Sequence, residues 1–167
     1  MNSVNNSHIA GLSLVELIVT LSIISILATV IIPSAQLISK RNKEIELRRN
    51  LRMIRMAIDD FKKTHDKGVD EKKIIPTSNK SGYPETLDQL MEGHDFGGVL
   101  KEKKKFLRRV PLDPFSEKKD AASPEWGWGL RSYADKPDST IWGAEDVYDV
   151  YSKSEGTAID GTKYKDW

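Results

Sequence analysis

Cysteine is absent from all 167 residues of the chain. This absence excludes disulfide bonds, thiolate metal ligands and cysteine nucleophiles together. Basic residues are also missing before Lys40, and Glu16 is the only acidic residue before Glu44. Because the chain holds 26 basic and 25 acidic residues in total, nearly all of its charge lies beyond Ser39. The sequence therefore divides into an almost uncharged N-terminal part and a highly charged remainder.

Signatures of common catalytic sites are absent as well. The three histidines, His8, His65 and His94, lack the spacing of a zinc-binding HExxH motif. There is no G-x-S-x-G nucleophile elbow, and the pair Gly97-Gly98 is not followed by the lysine of a phosphate-binding loop. A net charge of +1 gives no argument for a nucleic-acid partner. We therefore predict that the chain is not an enzyme and does not bind nucleic acid.

The N-terminal part contains a long apolar run. Residues 17–32 carry no charge, and a mostly apolar stretch of 28 residues extends from Leu12 to Ser39. A transmembrane helix needs about 20 such residues. The run is apolar nearly all round, whereas a helix at the surface of a soluble core has one polar face. Residues 12–39 are therefore predicted to form a membrane-spanning helix.

A cleavable secretory signal is the less suitable interpretation of this run. Such a signal begins with basic residues and ends in a small-residue cleavage site. The leader, residues 1–11, has no lysine or arginine, and no A-x-A-like site occurs in residues 31–38. The run is expected to stay in the mature protein as an anchor.

Glu16 is the one charge within this apolar stretch. A carboxylate inside a membrane segment costs at least a few kcal/mol and usually marks a function or a partner. Cleavage after Gly11 would create an α-amino group at Leu12, near the depth of Glu16. In a polymer, the amine of one subunit could then neutralise the carboxylate of the next in a low dielectric. The alternative is that Glu16 only reaches the membrane interface from the end of its helix.

An amphipathic pattern follows the apolar run. Five apolar residues are spaced by 4, 3, 4 and 3 positions and form one stripe of a helix: Leu47, Leu51, Ile54, Ile58 and Phe61. Residues 40–65 are therefore predicted to continue the N-terminal helix. Pro33 is expected to kink that helix or loosen its hydrogen bonding.

The remaining residues, 66–167, are predicted to form a globular part that covers this stripe. The fold class is α+β, with a long N-terminal helix against a small antiparallel sheet. The predicted elements are a loop over 66–82, a short helix over 84–91 ended by Gly93, a second short helix over 100–109, and strands at 126–130 and 147–151. The four tryptophans are interpreted as core and strand-face residues. The basic run 101–109 is interpreted as a solvated helix face or a subunit contact.

Residues Gly11 to Glu16, followed by the apolar run, resemble the prepilin-peptidase site of type IV pilins and type II secretion pseudopilins. The resemblance implies cleavage between Gly11 and Leu12 and N-methylation of Leu12. It further implies a role for Glu16 in assembly, and Pro33 matches the usual proline of the family.

Three later segments resemble the major pseudopilin of type II secretion: residues 82–90, 108–115 and 148–167. The resemblance implies a single-pass inner-membrane protein with a periplasmic C-terminal domain. It also implies a helical filament of copies and other pseudopilins, working with prepilin peptidase, an inner-membrane assembly platform and an outer-membrane secretin. Lys40, Arg41 and Lys43 by themselves favour the opposite orientation in the membrane, and we give the resemblance more weight.

Two alternatives stay open. A type IV or competence pilin would use the same helix to build a surface fibre, although type IV pilins usually close their C-terminal region with a disulfide. A membrane-anchored domain that never polymerises is the second alternative.

The resemblance also implies a calcium loop near the C-terminus. Ser154, Asp160 and Asp166 would be its ligands here, because calcium prefers carboxylate and carbonyl oxygens. Lys163 and Lys165 occupy the stretch in which the family has acidic ligands. Two ammonium groups there repel a cation, so a loop without metal is expected.

Overall fold

The computed structural model describes residues 13–75, 81–98, 100, 102–116 and 126–167, without the side chains of residues 30–34. The chain separates into two compact units, residues 1–40 and residues 41–167. The secondary-structure elements of the described residues are helix α1 (Leu14–Asp70), helix α2 (Leu87–Glu92), strand β1 (Trp128–Arg131), strand β2 (Asp149–Ser152) and a 3₁₀ turn (Tyr164–Asp166).

The apolar stripe of α1 forms the core of the second unit. Its five predicted residues, Leu47 to Phe61, are each at most 4 % exposed. Burial of a large apolar side chain contributes about 1.5–3 kcal/mol, so this stripe is a major source of stability. The helix packs on a small antiparallel sheet, and the prediction of an α+β fold is confirmed.

Strands β1 and β2 are antiparallel, with Trp128 opposite Ser152 and Arg131 opposite Asp149. Both strands begin two residues later than the sequence pattern predicts. Trp128 is fully buried, and its indole N–H donates to the Pro111 carbonyl oxygen at 2.8 Å. The other three tryptophans are partly buried against the core.

Arg55 joins α1 to this sheet. Its Nε donates to Asp149 at 2.7 Å, and its Nη2 donates to the main-chain oxygens of Val150 and Trp167, each at 2.9 Å. Arg131 on β1 donates to the same Asp149 carboxylate at 3.2 Å. Two cations from different elements thus share one half-buried acid.

Helix α2 begins three residues later than predicted. The prediction placed Pro84 in the first turn, but Pro84 is buried outside the helix and its carbonyl oxygen accepts from Val147 N–H at 2.7 Å. Thr86, which is extended, precedes the first helical residue. Gly93 ends the helix as predicted, although the last helical residue is Glu92 rather than Met91. Gly93 adopts a positive φ of 86° and donates to the Gln89 carbonyl oxygen.

The predicted helix over 100–109 is wrong: the described residues of this segment are not helical. Lys104 instead forms a backbone bridge with His94, and the amides of Phe106 and Leu107 both donate to the Leu90 carbonyl oxygen at 2.9 Å. Backbone groups of this segment are therefore bonded to the end of α2, so they are not available for the hydrogen bonds within a helix.

Helix α1 also continues to Asp70, beyond the predicted end near His65. Ion pairs one turn apart, Lys62 with Asp66 and Lys67 with Glu71, accompany this last part of the helix. Each such pair stabilises a helix by about a few tenths of a kcal/mol. The apolar periodicity that predicted the helix end contains no information about these charged pairs.

Gly129 faces the ring of Tyr151, its partner across the sheet. A Cβ at position 129 would lie 2.1 Å from the ring carbon Cζ. The Arg131 guanidinium stacks over the same ring, 4.1 Å from its centroid. The glycine is thus required by the close approach of an aromatic ring.

We predict that Gly129→Ala lowers the free energy of unfolding by about 1–3 kcal/mol, the usual cost of overpacking. Chemical denaturation of the full chain in detergent micelles measures this loss. The same substitution in a Tyr151→Ala background is expected to cost clearly less, because the obstructing ring is gone. Equal losses in both backgrounds would show that the ring contact is not the cause.

Candidate functional site

The start of α1 is fixed by Ser13. Its hydroxyl oxygen accepts from the Glu16 amide at 3.2 Å, and its carbonyl oxygen accepts from the Leu17 amide at 3.1 Å. These contacts identify Ser13 as the N-cap, which places Glu16 in the first turn. A carboxylate is favoured there by the positive end of the helix dipole. This cap was not predicted above, although its recognised signal, Ser-x-x-Glu before an apolar run, is present at residues 13–16.

The N-terminal part of α1, residues 14–27, presents apolar side chains in every direction. Ten large aliphatic residues in this part of α1 are each at least half exposed within the chain: Leu14, Val15, Leu17, Ile18, Val19, Leu21, Ile23, Ile24, Ile26 and Leu27. No face of this segment is reserved for water. Its surface is suited to lipid or to other apolar helices.

Hydroxyl groups in the same segment bond to their own helix. The side chains of Thr20, Ser22, Ser25 and Thr29 donate to carbonyl oxygens three or four residues earlier, at 2.7–2.9 Å. This arrangement is known for serine and threonine inside helices. It supplies each hydroxyl with an acceptor without water, so these side chains do not oppose an apolar environment.

Several predicted site residues lie wholly or partly outside the residues that the structure describes. Gly11 and Leu12 precede the first described residue, and the side chain of Pro33 is not described although its backbone is helical. Residue 12 and the side chains of 30–34 belong to the predicted membrane segment, 12–39. Within the described residues, no helix combines the length and the hydropathy that crossing a membrane requires.

Asp160 lies in the C-terminal loop, which we define as residues 153–167. Its Oδ2 accepts from Arg48 Nη2 of α1 at 2.9 Å. Its Oδ1 accepts from the Thr162 amide at 3.0 Å and from the Thr162 hydroxyl at 2.6 Å. Hydrogen bonds from Thr162, together with Arg48, lower the pKa of Asp160 below its ordinary value. The carboxylate is therefore held in its charged form.

Glu44 binds the same loop one helical turn before Arg48. Its Oε1 accepts from the Ile159 amide and from the Tyr164 hydroxyl, each at 2.9 Å. Tyr164 is buried and stacks on Phe115 with ring centroids 4.1 Å apart. Burial and the hydrogen bond to Glu44 raise the pKa of Tyr164 to about 12.

The other two predicted calcium ligands do not share these contacts. Ser154 Oγ accepts from the Gly156 amide at 3.3 Å, and Asp166 is exposed in the 3₁₀ turn. Lys165 pairs with Glu155 at 3.1 Å. Among the described residues, no group of three or more histidine and acidic side chains is arranged to hold a metal ion.

The basic run 101–109 contacts α1 through Lys104. Lys104 Nζ forms an ion pair with Asp60 at 2.9 Å and donates to the Thr64 hydroxyl at 3.1 Å. The same ammonium group lies 4.8 Å from the centroid of the Phe106 ring. This lysine therefore joins two parts of the fold, while its exposed neighbours Lys103 and Lys105 face solvent.

The raised pKa of Tyr164 predicts a pH dependence of stability. An unfolded tyrosine has a pKa of about 10, so the unfolded chain loses this proton first. The contribution of Tyr164 is fully present below about pH 10 and is lost as the pH rises towards the folded-state pKa of about 12. Thermal unfolding of the full chain in micelles across this range is the measurement.

Tyr164→Phe is the matched variant for this test, because it keeps the ring and removes the hydroxyl. Below pH 10 it is expected to be less stable than the parent by about 1 kcal/mol, the usual contribution of one hydrogen bond. This difference should shrink as the pH approaches 12. A difference that is independent of pH would contradict the assignment.

Comparison with known proteins identifies the N-terminal segment. The model of the prokaryotic N-terminal methylation motif matches residues 6–32, which include Gly11, Leu12 and Glu16. No curated protein and no solved structure showed significant similarity to the chain. The matched motif is the hallmark of prepilin-peptidase substrates, and it does not distinguish pilins from pseudopilins. Residues 6–32 thus carry the methylation motif that indicates a type IV pilin-like precursor.

Proposed function

We propose that the chain is a pseudopilin that assembles into a short periplasmic filament for type II protein secretion. The observation that carries this proposal is the methylation motif, together with an apolar run whose only acid, Glu16, lies in the first turn of α1. The proposed role is structural, and the protein acts by polymerising rather than by catalysis.

Processing is the first proposed step. The motif supports cleavage by prepilin peptidase, which we place between Gly11 and Leu12, followed by methylation of the new amine on Leu12. The Ser13 cap fixes the first turn of α1, which contains Glu16, and Leu12 directly precedes Ser13 in the sequence. The spacing of Leu12 and Glu16 along the chain is constant in every subunit.

Assembly is the second proposed step. We place the apolar run 12–39 in the inner membrane, from which each subunit moves into the growing filament. Lipid tails are as apolar as leucine, so helix association in lipid depends on close packing and polar contacts between helices. The outward apolar side chains supply that packing surface, and the internally bonded hydroxyls add no need for water.

Glu16 is proposed to direct the register of assembly. An isolated carboxylate among apolar helices is unfavourable, whereas a pair with the Leu12 amine of a neighbour recovers Coulomb energy in a low dielectric. The pair forms only when neighbouring subunits are at one relative height. The same charge that opposes burial therefore favours one arrangement of the subunits.

The choice of a pseudopilin over a pilin rests on the globular unit. The chain has no cysteine for the disulfide usual in type IV pilins. The segments that resemble the major pseudopilin also hold the core together: Asp113 is buried and accepts from Ser152 at 2.6 Å. We propose that the globular unit is periplasmic and that the partners are other pseudopilins, an inner-membrane assembly platform and an outer-membrane secretin.

Glu16→Gln tests the assembly role. The variant is expected to insert and to lose its leader normally but to form at least tenfold fewer filaments, because the proposed ion pair cannot form. Sedimentation of filaments sheared from cells and mass spectrometry of the mature N-terminus measure the two effects. Glu46→Gln is the matched control, since Glu46 is an exposed acid of α1 without an ion pair among the described residues.

Normal filament formation by Glu16→Gln would contradict this role. Retention of Met1 in the native protein would contradict the processing step. Long surface fibres seen by electron microscopy, with protein secretion intact after deletion of the gene, would favour the type IV pilin alternative. Failure of both variant and parent to self-associate would favour the non-polymerising anchor.

A further inference from the structure

We propose that the C-terminal loop is closed by Glu44 and Arg48 of α1, with the Arg48 guanidinium as its cation, and that it folds without a metal ion. The resemblance to the major pseudopilin implies a calcium ion in this loop, whereas here the protein's own side chains take its place. The proposal goes beyond the proposed function, because it assigns to two helix residues the closing of a loop more than 100 positions away in the chain.

The oxygens of Asp160 are already engaged by the protein. A carboxylate has about four acceptor positions, and three of those of Asp160 receive hydrogen bonds from Thr162 and Arg48. Calcium binds carboxylate oxygens at about 2.3–2.6 Å. An ion at that distance from Oδ2 would meet the positive guanidinium bonded to the same atom, so the two cations exclude each other.

The remaining acids of the loop do not make up for this loss. Calcium takes about six to eight oxygen ligands, several of them charged. The loop contains three acids, Glu155, Asp160 and Asp166, together with three lysines, so its net charge is zero. Glu155 is paired with Lys165, which leaves only Asp166 without an ion pair among the described residues. This donor set does not fit the metal.

Helix α1 supplies the charges that a metal site would otherwise supply. Glu44 and Arg48 are four residues apart and therefore lie on one face of the helix. Glu44 receives the Ile159 amide and the Tyr164 hydroxyl on one side of the loop. Arg48 donates to the Asp160 carboxylate and also lies over the Trp167 ring, 4.0 Å from its centroid. The two side chains together hold both ends of the segment 159–167.

The loop between these contacts is closed by its own backbone. The Ala158 amide donates to the Thr162 carbonyl oxygen at 2.7 Å, and Thr157 forms a bridge with Lys163. The Trp167 indole N–H donates to the Thr162 hydroxyl at 2.7 Å. Ala158 and Tyr164 are buried. Under this arrangement lysines at 163 and 165 carry no penalty, because no metal charge has to be accommodated beside them.

The first test asks whether the loop responds to metal. Amide hydrogen exchange over residues 156–167 and thermal unfolding are measured on the full chain in detergent micelles, in excess chelator and in millimolar calcium chloride. We expect the exchange rates to agree within about twofold in the two conditions. A saturable slowing of exchange or a calcium-dependent rise in the melting temperature would overturn the proposal.

The second test removes the protein cation. Arg48→Gln is expected to speed exchange over 156–167 by roughly three- to thirtyfold, the range for losing an exposed ion pair together with a cation–π contact. Calcium should not reverse this change. Arg52→Gln is the matched control, because Arg52 is exposed on the same helix with no ion pair among the described residues.

Unchanged exchange in Arg48→Gln would overturn the role of Arg48, and recovery on addition of calcium would show that a metal can replace it. Both readouts report on the folding of the loop and not on filament formation. A failure of this proposal about the loop can therefore be distinguished from a failure of the proposed function. If Arg48→Gln does not fold, the calcium titration of the parent chain still decides whether the loop requires metal.

Discussion

Burial of one apolar stripe of α1 is the contact on which the rest of the second unit depends. The stripe from Leu47 to Phe61 supplies a continuous buried surface, whereas the sheet has only two strands and α2 only six residues. Two short strands are not stable alone in water. They are held because Trp128 and Val150 pack into the core that this stripe creates. The helix is thus both the scaffold and the largest part of the core.

Polar residues beside the stripe then decide what is attached to the helix and where. Arg55 holds the sheet through Asp149, and Asn50 Nδ2 donates to the Leu112 carbonyl oxygen at 3.1 Å. Glu44 and Arg48 hold the C-terminal loop. Charged residues on an amphipathic helix are usually interpreted as solvated, but here they order the segments that cover the helix. The second unit is organised by one element with several specific side-chain contacts.

Local patterns could be predicted well, and contacts between segments could not. The stripe was predictable because apolar periodicity along one helix is a local signal. Helix α2 was predicted three residues too long at its start because Pro84 is bound by Val147, a residue 63 positions later. The helix predicted over 100–109 was wrong for a similar reason, because a contact with another segment overrides the local pattern. The charged composition of 100–109 suits a helix, but its backbone is bound to Leu90.

The sequence by itself determined the uncharged N-terminal run, the single acid within it and the periodic stripe beyond it, since each depends on neighbours along one helix. It also contained the Ser13 cap, a local signal. Only the tertiary structure decided that Gly129 lies under the ring of Tyr151 and that Asp160 meets Arg48. Composition indicates which loop residues repel a metal ion. The pairing of the Asp160 carboxylate with Arg48, 112 positions earlier, depends on how the whole chain is packed. No local sequence pattern contains that information.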